Sequence, residues 1–412
     1  MFLREFFKMH KKIWKLENLI YLFIVLGLAV RLIFVFEPGF VPDINWVKSW
    51  VLDLATNGFW QFYQRVDCDY PPFYMYVLKI VGEVYVYLTS IWRPSDKLYL
   101  LLHKAPVFFA DMATGYLIFY WLKREISLKA ALWGAALYLF NPVVLYNGAI
   151  WGQVDGFYVF VQLLSFFFSY FQKPILGITF GFFAALTKPQ GLILLPLILL
   201  WVWRKHGAKL SLEGLGVGIL LSFMVLYPFN GGDFSFLIQN YLRAADRYPF
   251  GSVNGFNLWW LIKGNWVPDD TKFWLFTWRN WGLLFFGIIY LFAFVLASVK
   301  SRKYDLIIAA AMILMGMFLF STRMHERYSI YAIPFLTLCC FFPKIRILPL
   351  VILFCWGISS LINIHWVLGW KIPLGGFLLG KNWPFVSIWL GFLAFFAIFV
   401  DFLKNKLITL KQ

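Results

Sequence analysis

Long apolar runs separated by short polar connections dominate the chain. A helix that crosses a membrane needs about 20 mostly apolar residues. Measured against that length, the runs predict spans near 18–36, 99–122, 131–148, 154–171, 174–187, 190–203, 211–228, 275–298, 304–321, 328–342, 346–364 and 385–403. The expected architecture is all-α, a polytopic transmembrane helical bundle of about 12 spans, in one domain over 1–412. One further run, "FYMYVLKIVGEVYVYLTSIW" (73–92), is also long enough to span. Lys79 and Glu83 stand within it at i,i+4 and should pair on one helix face. A charged pair at bilayer depth is costly, so the run is read as a helix at, or projecting from, the membrane surface.

With the N-terminus in the cytoplasm, three larger connections fall outside, at about 37–98, 229–274 and 365–384. The first holds "INWVKSWVLDLATNGFWQFY", whose pattern suits an amphipathic interfacial helix. The second holds "NYLRAADRYPFGSVNGFNLWW", aromatic and glycine-rich with scattered arginines, as suits an interfacial cap.

Composition agrees with the pattern. Of 412 residues, 61% are hydrophobic, 22% aromatic and 14% charged, more apolar surface than a water-soluble domain can hide. The net charge of +17 could suggest nucleic acid, but the basic residues cluster in short connections. They lie in "KMHKKIWK" (8–15), "LKREISLK" (122–129), "WRKHGAK" (203–209), "KSRK" (300–303), "PKIR" (343–346) and "LKNKLITLK" (403–411). Basic clusters flanking apolar spans follow the positive-inside rule, so they report orientation and no nucleic-acid partner is expected. Both termini are then cytoplasmic in a multi-pass protein of the cell membrane. No cleavage pattern follows the first apolar run, which reads as a retained signal anchor. Cys339, Cys340 and Cys355 lie in apolar runs and Cys68 stands alone in its loop, so no disulfide is expected.

The unusual polar residues gather on the outer side. Asp43 lies in "FVPDINW"; Asp67, Asp69 and Tyr70 lie in "QRVDCDYPPFYMYVL". Gln153 and Asp155 begin a span in "AIWGQVDGF", and Lys188 and Gln190 mark a hairpin tip in "LTKPQGL". Arg323, His325, Glu326 and Arg327 end another span in "STRMHERY". Each piece has a plainer explanation: Asp69 and Asp155 could serve helix N-termini, and Lys188 could snorkel to head groups. Arg323 and Arg327 are expected to share a helical face, with His325 and Glu326 between them. Charge at this density beside a membrane is functional by default, and paired arginines suit a phosphate. A carboxylate can take a proton from an attacking hydroxyl while cations neutralise a departing phosphate. The combination reads as group transfer from a lipid phosphate.

Taken in order, "PDINW", "DYPPFYMYVL", "NPVVLYNGAIWGQVDGFYVF", "LTKPQGLILLP" and "STRMHERYSIYAIP" resemble the GT-C superfamily of integral-membrane glycosyltransferases. The likeness is greatest to bacterial and archaeal relatives of GPI mannosyltransferase II, over nearly the whole length. The resemblance implies inverting transfer of a hexose, most often mannose, from a polyprenyl-phosphate donor at the extracytoplasmic face. The acceptor hydroxyl would belong to a glycan, a glycolipid or a protein. It maps the general base to Asp43 and a second acid to Asp69. The donor phosphate would meet the Arg323–Arg327 group, with Lys188. Some relatives use a divalent metal; nothing here has metal-ligand spacing, so metal-independent transfer is expected. The readings from other classes are a transporter or flippase of a lipid-linked sugar, and a non-catalytic subunit of a glycosylation complex. A transporter should hold its polar residues near mid-membrane and show related halves, and neither is seen.

Overall fold

Every long apolar run folds as helix, because lipid offers no partner for an unpaired backbone N–H or C=O. The computed structural model describes residues 16–93, 95–299, 302–342, 347–369 and 380–411. The basic stretches 8–15 and 343–346, part of 300–303, and the middle of the third expected outer connection lie outside the described residues. From the N-terminal side the helices are α1 (Leu19–Ile33), α2 (Val41–Asn57), α3 (Phe73–Ile91), α4 (Asp96–Glu125) and α5 (Leu128–Leu139). A short helix over Pro142–Leu145 and a π-helical turn over Tyr146–Trp151 lead into α6 (Asp155–Tyr170), α7 (Pro174–Thr187), α8 (Leu195–His206) and α9 (Ala208–Asn230). After α10 (Phe234–Asp246) come α11 (Trp278–Ser298), α12 (Asp305–Phe320), α13 (Ile333–Cys339), α14 (Ile347–Leu368) and α15 (Trp383–Lys411). A two-residue parallel pairing joins β1 (Ser252–Val253) to β2 (Met324–His325).

The all-α class holds, but the expectation of about 12 spans does not. Among the described residues five helices are long and apolar enough to cross a membrane: α4, α9, α11, α14 and α15. The number rises to six if α5 and the Pro142–Trp151 segment, bent by 42°, count as one broken span. The remaining runs are apolar but broken. Helix α7 has 14 residues, about 21 Å of rise against a hydrocarbon core of about 30 Å. At Lys188 the backbone turns extended, and the chain resumes as a 3₁₀ turn over Pro189–Ile193. Likewise the run expected at 328–342 starts as a 3₁₀ helix, Glu326–Ala332, and leaves α13 only 7 residues. The turn at Lys188 falls where the sequence places it, but the short runs beside it are not full spans. Helix α3 has 19 residues and is not among the five, and Lys79 Nζ meets Glu83 Oε1 at 2.6 Å on its exposed side.

Helix α12 is apolar all round, and every residue from Asp305 to Leu319 is buried, as such a helix must be. It packs against α11, α13 and α15. Helices α2 and α3 form a separate hydrophobic core around Trp50, Val51, Leu54, Met75 and Leu78. Cys68, Cys339 and Cys340 are buried and Cys355 is half-buried. The two ends of the bundle differ in chemistry. At one end Lys123 pairs with Glu17, Lys303 lies 5.1 Å from the Tyr170 ring, and Lys406 Nζ binds Asp305 Oδ2 at 2.6 Å. Helix α4, 30 residues and about 45 Å long, runs from there to the other end, where the candidate residues gather.

Candidate functional site

Helix α2 begins beside the π-helical turn, and one glycine permits the contact. Gly39 has φ +60°, and a Cβ there would stand 2.2 Å from the Trp151 carbonyl oxygen. Close approach therefore requires glycine. Pro42 and Asp43 follow in the first turn, and Asp43 does not cap its helix. Its Oδ2 accepts hydrogen bonds from Gln153 Nε2 at 2.7 Å and Trp151 Nε1 at 3.2 Å. Gly152, with φ +83°, turns the chain so that both donors face α2.

The second acid sits in a loop held by aromatic donors. Trp46 and Trp50 of α2 both donate from Nε1 to the Asp67 carbonyl, at 2.9 and 3.0 Å. Tyr63 Oη donates to the Tyr70 carbonyl at 2.8 Å. Asp69 is not a helix cap either, because Pro72 is the N-cap residue of α3 and no side chain caps it. Its Oδ2 lies 3.7 Å from Arg247 Nε, while its Oδ1 is buried with no hydrogen-bond partner. Burial pushes the Asp69 carboxyl up from the ordinary carboxylate range, against the lowering effect of Arg247, Lys188 and Arg327. Neighbouring Asp67 goes the other way, lowered by its bonds from Arg247 Nη1 and Nη2 at 3.0 and 2.7 Å.

Behind these acids lies a buried network. Lys188 is not a snorkelling lysine: it is 2% exposed and donates to Asp155 Oδ1 at 2.6 Å. Tyr331 Oη donates to the same oxygen at 2.6 Å, and the rings of Tyr70, Tyr328 and Tyr331 surround the ammonium at 5.2, 5.5 and 5.8 Å. Arg327 donates to Glu326 Oε1 at 2.8 Å and its Nε stands 3.8 Å from Asp155 Oδ2. Arg327 Nε, Asp155 Oδ2 and Gln190 Oε1 are buried without hydrogen-bond partners. His325 stacks edge-on against Tyr248 and Tyr328, and burial beside Arg327 and Lys188 holds its imidazole well below the usual range, hence neutral near pH 7.

Arg323 and Arg327 do not share a helical face. Residues 324–325 are extended and Glu326–Ala332 is 3₁₀, so i,i+4 spacing loses its α-helical meaning there. Arg323 has φ +66° and turns outward to Asp269 Oδ2 at 2.6 Å and Asp246 Oδ1 at 2.7 Å. It clamps the second outer connection, and its guanidinium is occupied by two carboxylates.

Asp43, Asp69, Tyr70, Gln153, Lys188, Gln190, Arg323, His325, Glu326 and Arg327 all line one cavity of about 560 Å³. Asp155 lies just behind it, bonded to Lys188. One residue that the motifs did not single out is Arg247. Its guanidinium stacks 4.2 Å over the Trp46 ring and bridges Asp67 and Asp69. The i,i+4 pair Arg243 and Arg247 in "LRAADR" was the available signal. The cavity also has an apolar wall of Ile193, Leu283, Phe286, Met317 and Val367. Leu283 lies on α11 and is 61% exposed, so that wall continues onto the outside of a membrane-length helix.

No group of three His, Cys, Asp or Glu side chains that could hold a metal ion occurs among the described residues. No family model matches the chain, and no curated protein matches it significantly.

Proposed function

We propose that the chain is a membrane glycosyltransferase of GT-C type that moves a hexose, mannose first among the options, from a polyprenyl-phosphate donor to an acceptor hydroxyl. The observation that carries this reading is the division of one cavity. Acids and cations line one part, and the apolar wall that runs out over Leu283 lines the other. A ligand matching both parts has an anionic head and a hydrocarbon tail.

In this reading the tail follows Ile193, Leu283, Phe286 and Met317. The phosphate meets Arg327 and Lys188, whose present carboxylate partners are displaced or shared. Asp43, oriented by Gln153 and Trp151, faces the acceptor. The acceptor oxygen attacks the anomeric carbon as the carbon–oxygen bond to phosphate breaks. The hydroxyl proton passes to Asp43, and polyprenyl phosphate leaves with the bonding electrons, its charge met by the cations. Asp69, largely desolvated, shapes the acceptor side. The aromatic walls exclude water and so limit donor hydrolysis. The site faces the extracytoplasmic side, because the basic connections mark the opposite end as cytoplasmic.

The test uses purified protein in nanodiscs with radiolabelled polyprenyl-phosphate-mannose or polyprenyl-phosphate-glucose and a membrane glycan extract. Sugar-selective release of polyprenyl phosphate is expected. No release and no binding of either donor would overturn the proposal and favour the transport or accessory readings.

A further inference from the structure

Helix α10 leaves two large apolar side chains on its exposed side. Its inward side joins Phe236, whose ring lies 4.6 Å from that of Tyr63, to polar groups bonded to backbone carbonyls. Asn240, 2% exposed, donates to the Cys68 carbonyl at 3.1 Å, Arg243 donates to the same oxygen at 3.0 Å, and Tyr241 donates to the Ala185 carbonyl at 2.7 Å. Its outward side carries Ile238 and Leu242, one turn apart and 62% and 60% exposed, flanked by exposed Gln239 and Arg243. A helix bathed by water turns its large apolar side chains toward the protein instead.

The preceding chain fixes where that face lies. Helix α9 is one of the five of membrane length, and its face carrying Leu220, Met224 and Tyr227 is exposed, at 59%, 59% and 58%. Lipid is the solvent for that face. Only Gly231, Gly232 and Asp233 separate the two helices. The two glycines have positive φ and turn the chain, and Asp233 caps α10 through the Ser235 N–H at 2.8 Å. Three residues reach about 10 Å at most, so α10 starts at the level where α9 leaves the hydrocarbon.

We propose that the Ile238/Leu242 face of α10 is a lipid-contact surface, seated in the leaflet on the cavity side, so that α10 is a membrane-bound cover for the cavity. Its partner is the bilayer itself. Ala244 and Ala245 of α10 line the cavity, and Arg247 just beyond it reaches Asp67 and Asp69. The cover thus joins the lipid surface to the loop carrying Asp69. This surface follows from the architecture and holds whether or not the chain transfers a sugar.

Nitroxide labels at Ile238→Cys and at Leu242→Cys, each in a Cys355→Ser background, test it in phosphatidylcholine liposomes. Leu220→Cys serves as the lipid standard and Asp270→Cys as the water standard. Collision with oxygen should exceed collision with a soluble nickel chelate at both positions, as at 220. Nickel-dominated collision, as at 270, would overturn the proposal in favour of a water-exposed cover. Low accessibility to both reagents would overturn it in favour of a protein partner, and a second copy of the chain would show as spin–spin broadening at the same sites.

Discussion

Arg323 and Arg327 stand close in sequence yet serve different partners, and that difference sets opposite expectations. Arg323 is taken up by Asp246 and Asp269, whereas Arg327 lines the cavity with its Nε making no hydrogen bond and only a 3.8 Å ion pair to Asp155. Arg323→Gln should lower thermal stability in detergent while changing donor affinity little. Arg327→Lys keeps the charge but loses the planar fork, and should weaken donor binding by about tenfold, the worth of one charge-assisted hydrogen bond. The reverse pattern would contradict the geometry. A pH profile reads the acids. Burial raises the Asp69 carboxyl, so its ionised form is lost as pH falls through a value above the usual carboxylate range. If the charged form is needed, kcat/KM falls on an acid limb above that range. Arg247→Gln removes a lowering cation, leaving Lys188 and Arg327 facing the group, and should move the limb to higher pH. An unmoved limb would show that Asp69 is not the group titrating.

At the scale of elements, how much was legible depended on whether local chemistry or distant packing decided the outcome. The helical class, the pairing of Lys79 with Glu83 and the five polar motifs were legible, because each rests on spacing within one segment. The broken runs were not. The apolar runs at 174–187 and 328–342 each read as a full span, although the first holds only 14 helical residues and the second opens as a 3₁₀ helix. Nor was the Arg247 bridge legible, since its acids lie 180 residues away in Asp67 and nearby Asp69. Two substitutions probe how elements lock together. Gly39→Ala forces a Cβ onto the Trp151 carbonyl at positive φ and should cost at least about 1–2 kcal/mol, with a lower unfolding temperature and a displaced Asp43. Arg31 of α1 and Asp111 of α4 form a fully buried pair at 2.9 Å. Asp111→Ala strands the guanidinium and should cost about 3–5 kcal/mol, measured as denaturant-dependent unfolding in detergent. A neutral result would mean that Arg31 finds carbonyl partners enough in Gly27 and Leu139, which it already contacts.

The whole molecule is a bundle with basic residues at one end and a cavity at the other, roofed by α2, the 66–70 loop, α10 and the 248–269 connection. On the proposed function, membrane-length helices and the apolar wall would lead a lipid-borne substrate to the charged groups without crossing water. The central claim is that Asp43 takes the acceptor's proton. Its most direct test compares wild type with Asp43→Asn for donor binding and for release of polyprenyl phosphate in the same nanodiscs. The account predicts unchanged donor affinity with turnover reduced by about 10²–10⁴-fold, the usual worth of a general base. Near-normal turnover in Asp43→Asn would contradict it and shift the role to Asp69.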